Sequence, residues 1–478
     1  MINWDSEKRK GSISMEYVLA VDIGASSGRH ILGHLENGRL ILEEVYRFEN
    51  GMEKKNGHLC WNTARLFSEI KAGLAKCREA GKIPSSMGID TWAVDYVLLD
   101  EKNAVLGETY GYRDSRTAGM DEEVFRIIPE TELYARTGIQ KQPFNTIYQL
   151  MSDKVRHPEI LAEAKTMLMI PDYFHFLLTG VKKSEYTNAS TTQLVSVKTG
   201  DWDHELIGRL GFPDGIFLPL SMPGTEVGML KKEIADEVGF TCCVVLPATH
   251  DTGSAVMAVP SQSDDTLYIS SGTWSLMGVE TEKAIVNETG RRANFTNEGG
   301  YGRRTRFLRN IMGLWMIQSV RHELGDAYSF AQLCEMAETE KDFPSRVDVN
   351  DSAFLAPACM QEAIRNYCAG RGEALPETIG QTAAVIYQSL ADSYAETVAE
   401  IEALTGRHYA DIHIVGGGSN AEYLNRLTAE RSGRRVLAGP AEATAIGNLL
   451  AQLIADGELK DLKDGRRCVS NSFEIKTY

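Results

Sequence analysis

A strand that ends in a loop of small residues and runs straight into a second strand occurs twice in this chain, about half its length apart. The first copy is Asp22-Ile23-Gly24-Ala25-Ser26-Ser27-Gly28-Arg29, after an apolar strand pattern over 17–23. The second is Ser270-Ser271-Gly272-Thr273-Trp274, followed by Ser275-Leu276-Met277-Gly278. A glycine turn lets backbone N–H groups converge on an anion, because no Cβ blocks the approach. Neither loop carries the lysine and following helix of a P-loop, so each reads as a hairpin phosphate site. Two such hairpins imply two related halves gripping one polyphosphate, which points to ATP.

The rest of the chain is organised around that repeat. Its 478 residues allow two to four domains. The expected division is a polar leader over 1–15, an N-terminal domain over 16–260, a C-terminal domain over 261–460 and a tail over 461–478. Strand patterns over 17–23, 29–35 and 40–48 predict an antiparallel meander. The spacing of Leu66, Ile70, Leu74 and Cys77 predicts a helix over 61–80 with Gly81 as its stop. Strands are expected over 87–90 and 94–99, helices over 147–155 and 172–178, and a buried strand within 241–249 feeding a helix near Asp251. The second half repeats the order, with helices over 310–324 and 378–404 and a strand over 411–415 entering Gly416-Gly417-Gly418. The expected class is α/β, with mixed sheets in two related halves.

Charge and cysteine usage exclude several functions. A net charge of −16 disfavours nucleic-acid binding, and 1–16 is too short for a helix-turn-helix domain. Eight cysteines occur without a C-x-x-C pair or zinc spacing, which fits a reducing cytoplasm. No signal peptide or membrane-length apolar run is present, so no membrane partner is expected.

Chemistry is expected at a few places. Asp22, ending its strand, suits Mg²⁺, and Ala25, Ser26, Ser27, Gly28 and Arg29 offer backbone N–H groups, hydroxyls and a cation to phosphate. Asp251, within Thr249-His250-Asp251-Thr252, suits a proton acceptor for a sugar hydroxyl attacking the γ-phosphate, or a helix N-cap. His250 and Thr252 stand ready to hydrogen-bond the sugar. Segments 88–95 and 112–116 suit a polyhydroxylated ligand, with a solvated surface as the alternative for 113–116. Residues 441–447 form a small-residue helix face, suited to helix packing or an adenine slot.

Taken together, segments 22–29, 89–100, 112–117, 142–148, 171–173, 185–194, 250–255, 270–278, 297–300, 309–315 and 415–419 resemble the FGGY family of carbohydrate kinases, in the actin-like ATPase superfamily. The resemblance spans about 16–460 and implies two ribonuclease H-like domains with the active site between them. It implies ATP contacts at Ala25, Ser26, Ser27, Gly28, Arg29, Thr273, Gln318 and Gly416. It implies Asp251 as proton acceptor, with Ala93, His250, Thr252 and Asn310 holding the sugar, and Ala93 replaces the glycine usual there. The implied reaction is ATP-dependent phosphorylation of the 1-hydroxyl of L-rhamnulose, with Mg²⁺, by a cytoplasmic monomer or weak homo-oligomer. L-Fuculose or another ketose is an alternative acceptor. An actin-like ATPase serving as regulator or chaperone is the alternative from another class.

Overall fold

The computed structural model describes residues 16–263 and 265–478; the polar leader expected over 1–15 lies outside them. The first half is built on β1 (Tyr17–Ile23), β2 (Ser27–Glu36), β3 (Arg39–Glu49), α1 (Thr63–Glu79), β4 (Pro84–Thr91), β5 (Glu226–Met229), β6 (Cys243–Val245) and α2 (Asp251–Met257). Its sheet runs β5-β6-β4-β1-β2-β3. The β1–β2–β3 meander is antiparallel, while β4 pairs parallel to β1 and β6 parallel to β4.

The second half contains β7 (Leu267–Ser271), β8 (Ser275–Thr281), β9 (Thr296–Gly299), β10 (Thr305–Ile311), α3 (Trp315–Glu323), α4 (Ile379–Thr405), β11 (Asp411–Val415), β12 (Arg435–Ala438), α5 (Ala443–Ala455), α6 (Leu462–Ser472) and β13 (Lys476–Thr477). Its sheet runs β9-β10-β8-β7-β11-β12-β13. Strands β7, β8 and β10 form an antiparallel meander, with β11 parallel to β7 and β12 parallel to β11. That is the first sheet's pattern again. Each glycine hairpin joins the first two strands of its meander.

Alternation along the strands decides what each face covers. On β1, Leu19, Val21 and Ile23 pack with Leu66, Ile70 and Leu74 of α1, whereas Val18 and Ala20 face the other way. On β7, Leu267 and Ile269 join the second domain's core with α4, whereas Tyr268 turns toward Val18 and Ala20. The shared layer between the sheets holds α2 and α5. A third cluster, drawn from 96–217, forms an insertion beside the cleft. Helix α4 starts with a capping box from Thr378 and Gln381, and α1 ends with Ala80 as its C-cap and Gly81 at φ +69°.

Two expectations fail. Asn310 does not begin a helix; β10 continues to Ile311 and the helix starts at Trp315. Hydrogen bonds across the whole β8–β10 ladder outweigh the helical spacing read there. Nor does the second strand of the 87–99 region begin at Val94, whose φ is +67°; it spans Tyr96–Leu99. The left-handed Val94 breaks the strand and turns Trp92 and Asp95 onto each other, the indole donating to Asp95 Oδ2 at 2.9 Å.

Candidate active site

A cleft of about 330 Å³ opens between the halves. One wall is the first glycine hairpin, closed by Gly24 N–H donating to Ser27 O at 2.9 Å. The facing wall is the second hairpin, closed by Gly272 N–H donating to Trp274 O at 2.8 Å. Gly416 and Gly417 form a third edge. That edge needs glycine: a Cβ on Gly416 would stand 2.8 Å from Ser271 O, and one on Gly418 1.9 Å from Ser271 Oγ. The three loops line one space.

Most of the expected site residues line this cleft: Asp22, Ala25, Ser26, Ser27, Arg29, Ala93, His250, Asp251, Thr252, Thr273, Asn310 and Gly416. Two do not. Gly28 sits within β2, and the side on which it lacks a Cβ faces the Phe48 ring, where such an atom would stand 2.1 Å away. Gln318 lies on α3 outside the cleft lining and accepts from the hydroxyl of Thr273, which does line it, at 3.4 Å.

Asp251 is the first residue of α2, and His250 takes the N-cap position. The His250 side chain makes no capping hydrogen bond, so the capping role considered for Asp251 is not taken up by side chains here, and the Asp251 carboxylate lines the cleft. Its Oδ1 accepts from Thr252 N–H at 2.6 Å. Burial deep in the cleft, with the Asp22 carboxylate nearby, raises its pKa to about 7. That is the range of a general base poised for neutral pH.

Asp22 accepts from Arg29 Nε at 2.9 Å, and both Arg29 contacts fall on Oδ2. Arg29 also reaches Glu442 Oε2 at 2.7 Å, a bridge from β2 to the residue before α5. Beneath this pair lies Asp90, in register with Asp22 on the neighbouring strand. Asn448 Nδ2 donates to Asp90 Oδ2 at 2.6 Å. Burial, then Asp22, pushes the Asp90 pKa well up.

Trp92, Ala93, Val94, Tyr112, Gln140 and Asn145 also line the cleft. Asp95 does not face it. Wholly enclosed, it accepts from Trp61 Nε1 at 2.6 Å, Gln149 Nε2 at 2.9 Å and Tyr112 N–H at 3.0 Å as well as from Trp92. The Trp61 and Trp92 rings lie against each other with centroids 3.9 Å apart and planes tilted by 32°. Arg116 and Asp114 are likewise structural: Arg116 pairs with buried Asp153, and Asp114 accepts from Leu59 N–H at 2.7 Å. Of the 112–116 cluster, Tyr112 alone lines the cleft.

The duplicated sheets, the hairpins facing across a cleft and an aspartate where a strand meets a helix are the features the motifs anticipated. Models of the FGGY family of carbohydrate kinases match the chain, the N-terminal domain over residues 17–258 and the C-terminal domain over 267–455. The chain belongs to the FGGY family of carbohydrate kinases. As an FGGY kinase it takes ATP as phosphoryl donor. Among similar proteins, one named rhamnulokinase from Halalkalibacterium halodurans is 53% identical, covering 97% of this chain and 99% of its own. Another of that name, from Bacillus subtilis, is 45% identical over 96% of this chain and 94% of its own. Solved FGGY-like folds include a xylulose kinase from Lactobacillus acidophilus, with TM-score 0.78 at 16% identity over 97% of this chain and 94% of that one. A Plasmodium falciparum glycerol kinase with ADP superposes with TM-score 0.73 at 14% identity, over 96% and 94%.

Sequence reading singled out neither Glu298 of β9, which lines the cleft, nor Arg306 of β10, which is buried. Asp90, within the 88–95 segment read as suited to a polyhydroxylated ligand, is fully buried instead of lining the cleft; nothing local marks which side of a strand faces a cleft formed with a distant part of the chain.

Proposed function

We propose that this kinase transfers the γ-phosphoryl group of ATP to the 1-hydroxyl of L-rhamnulose, giving L-rhamnulose 1-phosphate and ADP in L-rhamnose catabolism. The observation that carries the phosphoryl-transfer chemistry is Asp251, held at the start of α2 between the two phosphate hairpins with its pKa raised to about 7. The choice of acceptor rests on the relatives named rhamnulokinase, seven of them between 41% and 53% identical over nearly the whole chain.

Asp251 accepts the hydroxyl proton as the oxygen attacks phosphorus. The N–H groups of the two hairpins and of the Gly416 edge bind the phosphates, which is most of what phosphoryl transfer requires of a protein. Trp92, Ala93, His250, Thr252 and Asn310 position the ketose.

Mg²⁺ fits this chain through Asp22, whose Arg29 contacts both use one oxygen. Mg²⁺ typically binds through one or two carboxylates plus substrate phosphates and keeps water ligands. When bound, Mg²⁺ neutralises charge on the transferring phosphoryl group.

All eight cysteines are free thiols, and among the described residues no helix is long and apolar enough to cross a membrane. A cytoplasmic site of action is proposed from the cysteine usage of the sequence, which fits a reducing compartment. A monomer or weak homo-oligomer is proposed.

The test is ADP release measured across a ketose panel. L-Rhamnulose is expected to give the highest kcat/KM, and Asp251→Asn to fold normally and lose sugar phosphorylation. Preference for L-fuculose, ATP hydrolysis indifferent to every sugar, or near-wild-type turnover by Asp251→Asn each counts against the reading.

A further inference from the structure

His250 is held from both sides. Its backbone N–H donates to Thr187 Oγ1 at 3.3 Å, and that hydroxyl donates to buried Glu185 Oε2 at 2.6 Å. Its ring meets Arg306, a fully buried residue of β10 in the other sheet, with Nη2 3.0 Å from Nδ1. Arg306 is fixed in turn: Nε donates to Gly299 O at 2.9 Å, and Nη2 lies 3.1 Å from Glu298 Oε2.

A guanidinium can only donate. With Nη2 aimed at it, Nδ1 must offer its lone pair, although Glu298 Oε2 at 3.4 Å could otherwise draw a proton there. Burial, and then the Arg306 charge, push the His250 pKa well below the usual histidine range, so the ring is neutral and its single proton sits on Nε2. Nε2 lies on the cleft side, 3.5 Å from Asp251 Oδ1.

We infer that Arg306 is a positioning residue: by occupying the Nδ1 lone pair it fixes the Nε2–H tautomer of His250 and directs that donor to the acceptor oxygen beside Asp251. Glu298 holds Arg306 for the purpose. The donor that meets the sugar is thus set by a side chain from the opposite sheet, and it is correctly made only when the two halves are docked as they are here. The inference rests on the proposed sugar phosphorylation for its consequence, though not for the tautomer itself.

Two measurements test it. In the wild-type chain labelled with ¹⁵N-histidine, long-range ¹H–¹⁵N correlation is expected to show His250 with protonated Nε2 and bare Nδ1; the reverse assignment overturns the inference. Kinetics supply the second. The double variant Arg306→Met with Glu298→Gln removes both buried charges together, avoiding a stranded carboxylate. It is expected to lose about 10–100-fold in kcat/KM for the ketose, with KM for ATP changed less than about twofold and Arg306→Lys intermediate. Equal losses for ketose and ATP, or no loss, overturn it. Inactivity of the wild type on every ketose counts against the proposed function, and the tautomer in that same chain then decides this inference alone.

Discussion

Gly447 of α5 lies so close to Ser254 of α2 that a Cβ on it would stand 1.8 Å from the Ser254 carbonyl oxygen. The two helices come from opposite halves of the chain, and α2 opens with Asp251. The contact therefore sets where the base stands relative to the sheet behind it. Gly447→Ala is expected to push α2 outward, costing about 1–3 kcal/mol of stability as overpacking does. Denaturant unfolding reads the stability, and kcat should fall more than KM for ATP rises. A variant as stable and active as wild type would contradict the close packing.

The raised Asp251 pKa fixes a pH profile. In its proposed role as base it works ionised, so kcat/KM should climb as pH rises through about 7 and level off above. The stability sign is opposite to that of a salt-bridged carboxylate. A carboxyl that holds its proton more tightly folded than unfolded penalises the fold once ionised. The penalty appears as pH rises from the unfolded value near 4 and is complete above about 7. With the side chain part-open to the cleft, Asp251→Asn is expected to gain on the order of 1 kcal/mol at pH 8. At pH 4 the gain should shrink toward nothing. Thermal melts at the two pH values check this.

Asp95 organises the acceptor wall without facing it. Replacing it with leucine strands the Trp61 and Trp92 indole N–H groups and Gln149. The expected cost is about 2–4 kcal/mol of stability. KM for the ketose should rise at least about tenfold, while KM for ATP stays near wild type. A selective rise in KM for ATP would show that Trp92 and Tyr112 serve the other end of the cleft.

Arg113 crosses between the halves, its guanidinium 4.7 Å over the Trp315 ring. Trp315 N–H in turn donates to Thr273 O at 3.0 Å in the second hairpin. A partly exposed cation–π contact contributes about 0.5–1 kcal/mol. Arg113→Ala should therefore weaken ATP binding roughly two- to fivefold and alter Trp315 fluorescence on nucleotide addition. An unchanged nucleotide titration would remove Arg113 from this role.

The glycine hairpins, the meanders and Asp251 could be read locally, because each is a contiguous pattern whose residues act on their own backbone. Asp22 and Ala25 fall in one turn of chain and line the cleft together. The errors came where a distant partner outvoted a local signal. Asn310 reads as the start of a helix until β8 pairs with its strand. Asp95 and Arg116 read as candidate sugar contacts until Trp61, Gln149 and Asp153 enclose them.

What the chain alone determined is the repeat and the residues available within it: glycine hairpins at Gly24 and Gly272, proposed to bind phosphate, and a carboxylate where a strand meets a helix. Docking of the two sheets decided what those groups became. Only with α2 and α5 packed in one shared layer does Asp251 reach the Asp22 field that helps raise its pKa, and only then does Arg306 meet His250. Electrostatics and hydrogen bonding act over a few ångströms of space, and sequence order leaves those distances open until the core closes.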